Sequence, residues 1–103
     1  MLLGLLDGDR EAADQILADF FEDASRQIDA IAQAVEREDG SSLRQRAHAL
    51  KGASASVGAK ALWRLSSQLE EHAKGGAPAD VSGLPLGLRS ELAQLVDTVK
   101  AQR

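Results

Sequence analysis

The stretch AHALKGASASVGA, residues 47 to 59, places His48 three residues before Lys51, four before Gly52 and ten before Gly58. On a helix, offsets of three and four bring side chains onto one face. Lys51 therefore sets an ammonium one turn from the imidazole, and Arg44, one turn before it, adds positive charge on the same side. Gly52 takes the position whose side chain would otherwise lean back over the ring. Glycine inside a helix costs about 1 kcal/mol relative to alanine, so its use here fits a ring that something large must approach closely. Imidazole is also a suitable nucleophile: with an ordinary pKa of about 6.5, most of it is neutral at pH 7. A neutral ring nitrogen can attack an in-line phosphoryl group without a general base, so that positioning and charge stabilisation suffice. An uncovered imidazole, neighbouring cations and an open approach are together what a transient phosphohistidine requires.

Four elements must position these residues. Leu43, Ala47, Leu50, Ser54 and Val57 recur at steps of four and three, which predicts the helix that carries His48, capped by Ser41 or Ser42 and ended or bent at Gly58. His48 falls beside this stripe, on a polar or small solvent-facing side with Arg44, Gln45, Lys51, Gly52 and Ala55. Upstream, Leu17, Phe20, Ala24, Ile28, Ile31 and Val35 predict a first helix that starts after Asp7-Gly8-Asp9, with Asp7 or Asp9 as its cap, and stops at Glu38-Asp39-Gly40. One long helix or two with a slight bend both fit. A third helix runs from about Ala59, with Leu62, Leu65, Leu69 and Ala73 inward, to Gly75-Gly76. Residues 76–85 hold both prolines and two glycines and predict a loop; Leu88, Leu92, Leu95 and Val99 then predict a fourth helix. No segment alternates long enough to be a strand. The expected fold is all-α: an antiparallel four-helix bundle in one domain over residues 1–103, with residues 1–8 as a lead and His48 on the exposed face of the second helix.

Bulk properties exclude several classes. The chain has 103 residues, enough for one domain, and an apolar content of 44 %, enough for a core. Its aromatics are Phe20, Phe21 and Trp63, and Ala and Leu dominate, which suits closely packed helices. A net charge of −4 argues against nucleic-acid binding. The absence of cysteine excludes disulfides, zinc–thiolate sites and thiol catalysis, and fits a reducing compartment. The opening MLLGLL is apolar for six residues only, too few for a signal sequence or a bilayer span, so a soluble, cytoplasmic chain without direct membrane insertion is expected.

With Ala61-Leu62 and Leu69-Glu70 added, AHALKGASASVGA resembles the histidine-containing phosphotransfer (HPt) domains of two-component phosphorelays. The likeness covers the His, the Leu-Lys-Gly after it, the glycine ten residues on and the four-helix layout. It implies that His48 accepts a phosphoryl group through Nε2 from the aspartyl-phosphate of a receiver domain and passes it to another receiver. It further implies that Lys51 stabilises the phosphoryl group, that Gly52 permits docking and that Gly58 allows the helix turn. The implied partners are receiver domains and a sensor or hybrid histidine kinase, of which this chain could be a tail. No metal or cofactor of its own is implied; Mg²⁺ belongs to the receiver. Many members divide the first helix with a proline, where this chain has Ser25-Arg26.

The remaining candidates are weaker. If the second and third helices form a hairpin at Gly58, Ser67 or Glu70 returns to the level of His48 and could bond the other ring nitrogen; a solvated Glu70–Lys74 pair is the competing reading. His72 suits the dipole at a helix C-terminus, and the run Glu36 to Asp39 suits a solvated helix end. Trp63 fits a bundle edge or a partner surface. No second histidine lies at metal-ligand spacing. The chain has no nucleotide loop, so a carrier without kinase activity, monomeric as an isolated domain, is expected rather than an enzyme. A helical interaction domain with a vestigial His48 is the alternative, and a histidine-based hydrolase ranks last for want of a Ser/His or Asp/His constellation.

Overall fold

Four helices account for nearly all of residues 10–75 and 83–101, the parts of the chain that the computed structural model describes: α1 Arg10–Glu36, α2 Gly40–Val57, α3 Lys60–Lys74 and α4 Leu84–Ala101. The bundle measures 45 × 19 × 17 Å. Its long axis matches α1, whose 27 residues span about 40 Å at the α-helical rise. Of the two readings left open, the first helix takes the continuous one through Ser25-Arg26, where nothing removes a backbone donor. Its inward stripe is Leu17, Phe20, Ala24, Ile28, Ile31 and Ala34, while Val35 is half-buried against the core. All five stripe residues of α2 are buried. Leu62 and Leu69 of α3 and Leu88 and Val99 of α4 complete the centre, with Leu65, Ala73, Leu92 and Leu95 packed around it.

The turn before α2 departs from expectation. Glu38, at φ 54°, takes the left-handed position that glycine was expected to supply. The amides of Glu38 and Asp39 donate to Val35 O (3.2 Å) and Ala34 O (2.9 Å), the paired bonds of a Schellman ending. Gly40 is instead the first residue of α2. The cap is Asp39, not Ser41 or Ser42: its Oδ1 accepts from the Ser42 amide at 3.1 Å, and Ser42 Oγ donates to Oδ2 at 2.9 Å. These bonds hold the Asp39 carboxyl below its ordinary range, the Ser42 amide being the largest cause.

The turn after α2 uses glycine as expected. Gly58 is left-handed (φ 76°, ψ 26°), its amide donates to Ala55 O at 3.2 Å, and that of Ala59 donates to Ser54 O at 2.9 Å. This tight reversal folds α3 directly back along α2. Pro85, expected in the loop, lies in the first turn of α4 and is buried; proline is tolerated there because first-turn amides have no helical acceptor. The caps at Asp7 or Asp9, the lead 1–8 and residues 76–82 of the loop lie outside the described residues.

Candidate functional site

The α2–α3 hairpin brings residues 22 apart in sequence to one point. Glu70 on α3 is buried, its side chain only 6 % exposed, at the level of His48 and Lys51. Its Oε2 lies 2.7 Å from His48 Nδ1, and its Oε1 lies 2.6 Å from Lys51 Nζ. The Lys51 ammonium thus forms a close charge-assisted pair with Oε1. Lys51 is the largest cause that holds the Glu70 carboxyl below its ordinary range; burial opposes it and the His48 hydrogen bond reinforces it. The carboxylate is thus an anion, and an anion only accepts. His48 Nδ1 must therefore carry the hydrogen and donate it. In the neutral ring this leaves the lone pair on Nε2, on a side chain that is 69 % exposed. The result is an oriented imidazole facing solvent, backed by a buried counter-charge.

The surface at Gly52 is open: a Cβ there would meet nothing within 4 Å. A family model of the Hpt domain matches residues 15–102, most of the chain. The chain belongs to the Hpt domain family. Hpt domains are phosphotransfer carriers of two-component phosphorelays, not kinases, and they work with receiver domains and histidine kinases. No curated protein and no solved structure matches the chain.

Within this Hpt domain, His48, Lys51 and Glu70 meet, and Gly52 adjoins them on the exposed face of α2. Arg44 is exposed one turn before His48 and makes no ion pair among the described residues. Ser67 is half-buried and does not bond the ring; Glu70 does. The solvated Glu70–Lys74 pair is not formed, because Lys74 reaches Glu71 at 3.5 Å while Glu70 points inward. His72 is exposed in the last turn of α3. No group of three metal-ligating side chains occurs among the described residues, and none of the helices is long and apolar enough to cross a membrane.

The burial of Glu70 was the feature least visible beforehand. Its signal is spacing: Leu62, Ser66, Leu69, Glu70 and Ala73 form one inward stripe at helical steps. A carboxylate there is unusual unless it is paired. Ser66, also buried, turns its hydroxyl back onto Leu62 O at 2.7 Å, and its small size lets α3 lie close to its neighbours.

Proposed function

We propose that His48 is the phosphoacceptor of a phosphorelay carrier, taking the group from the aspartyl-phosphate of one receiver domain and giving it to another. The observation that carries this reading is the 2.7 Å contact between His48 Nδ1 and the buried Glu70, behind an exposed ring. The Nε2 lone pair attacks phosphorus in line, the bond from phosphorus to the aspartyl oxygen breaks, and the aspartate leaves as a carboxylate. The ring becomes a phosphoimidazolium whose Nδ1–H still points at Glu70, so the charge that develops on the ring falls beside a fixed anion. The return step is the mirror image, with a receiver carboxylate as nucleophile. Lys51, on a flexible stem, exchanges part of its contact with Glu70 for a phosphoryl oxygen. Gly52 admits the partner, Arg44 adds long-range attraction and Gly58 holds the hairpin in register. Mg²⁺ is supplied by the receiver, and the domain needs no cofactor of its own. We further place it as a cytoplasmic monomer when isolated, serving a sensor or hybrid kinase of which it could be the tail.

The test is transfer from receivers charged with acetyl phosphate and Mg²⁺ to the native chain and to His48→Gln. Acid-labile, base-stable label on the native chain alone is the expected result. Label on both would shift the role to His72. No label from any receiver would favour the interaction domain with a vestigial histidine.

A further inference from the structure

A groove of about 460 Å³ opens on the same α2–α3 face as His48. Its α2 wall is small: Ser54, Ala55 and Gly58. Its α3 wall carries Trp63, which is 43 % exposed, flanked by Lys60 and Arg64. Two observations mark this groove. Trp63 is one of three large apolar side chains left exposed among the described residues. Lys60 and Arg64 are exposed cations in no ion pair among the described residues, on a chain whose net charge is −4.

The groove is also continuous with the site. Ala55 lies seven residues beyond His48, about 10 Å along α2. On α2, Lys51, drawn down to Glu70, and the open Gly52 stand between them. A partner that docks firmly buries about 800 Å² of this chain, a patch of about 16 Å radius. Any receiver centred on His48 therefore reaches the groove.

We propose that the groove is a second docking point for the receiver domain, taking a segment that presents an apolar side chain beside one or more carboxylates, and that it determines which receivers are accepted. The apolar side chain lies against the Trp63 indole and the small α2 wall, and the carboxylates meet Lys60 and Arg64. Tryptophan and arginine in such settings tend to dominate binding energy, while rim charges govern encounter and selectivity. The inference rests on His48 being the phosphoacceptor, since that centres the receiver on this face.

The experiment titrates receivers, charged with acetyl phosphate and Mg²⁺, against the native chain, Trp63→Ala, Arg64→Glu and Lys100→Glu. The last makes the same charge change at an exposed site on α4. Circular dichroism checks that each variant is helical. For Trp63→Ala and Arg64→Glu the half-saturating receiver concentration should rise about tenfold, with the single-turnover rate at saturation kept within about twofold. Lys100→Glu should behave as native, and added salt should weaken the native chain more than Arg64→Glu. Native-like saturation of both groove variants would overturn the docking proposal and leave His48 as carrier. If no receiver labels the native chain, the phosphoacceptor reading fails and the groove loses its occupant.

Discussion

Two ion pairs of nearly equal length hold opposite sides of the bundle. Glu70 and Lys51 meet at 2.6 Å between α3 and α2, with side chains 6 % and 27 % exposed. Asp29 and Arg89 meet at 2.8 Å between α1 and α4, but are 58 % and 46 % exposed. Distance is therefore not what separates them. Water competes for both ends of the second pair, and such pairs contribute about 0–1 kcal/mol. The Glu70 carboxylate has given up its water, so its two cationic or hydrogen-bonding neighbours are its whole solvation. One side of the molecule can lose its ion pair and stay folded; the other cannot change a partner without leaving a buried charge.

The contrast breaks most severely at Lys51. Lys51→Ala leaves Glu70 with His48 alone and should cost about 3 kcal/mol of stability, read from urea denaturation. Next in size, Gly52→Ala should stabilise the fold by about 1 kcal/mol, because the site is an exposed helix interior with no atom in the way, while slowing transfer from a charged receiver. A stopped-flow phosphotransfer assay beside a thermal melt would separate the two effects; a faster transfer would refute the open-approach argument.

The pH dependence sharpens the comparison further. The carboxyl of Glu70 has a folded pKa below its ordinary value of 4.5, so its contribution is complete above about that pH and is lost as pH falls through the lowered folded value. Asp39 acts in the same direction from 3.8, so the native acid curve alone does not isolate Glu70. The stability difference between the native chain and Glu70→Gln should shrink as pH is taken from 7 towards 3, and a difference independent of pH would contradict the buried-anion picture. The smallest effect belongs to the exposed pair: Arg89→Ala should cost less than about 1 kcal/mol, and less still in high salt.

Much of this was legible in the sequence, for identifiable reasons. The five-residue stripe of α2 is wholly buried because its apolar period matches the helix and nothing in it competes. Gly58 was readable because a left-handed position at a helix end strongly favours glycine. At the other turn the same rule pointed to Gly40, but the bonds fall at Glu38, where the cap bonds of Asp39 offset the strain of a non-glycine residue. Whether Ser67 or Glu70 would face His48 depends on the register between two helices, which the geometry at Gly58 sets and no local pattern reveals. The ordinary preference of a glutamate for water hid the rest, since its burial makes sense only with Lys51 and His48 already in place.

The burial of Glu70 behind the ring also bears on how long a charge can be stored. A carboxylate near a phosphohistidine is a natural base for activating water, and a free one would drain the group to solvent. Glu70 is the carboxylate in contact with the ring, yet it is buried and bonded to Nδ1, away from Nε2. It is an anchor that is poorly placed to become a hydrolytic base. In the proposed role, the lifetime of the charged domain is then set by the intrinsic chemistry of the phosphoramidate bond rather than by the protein, which lets the group wait for a receiver to arrive.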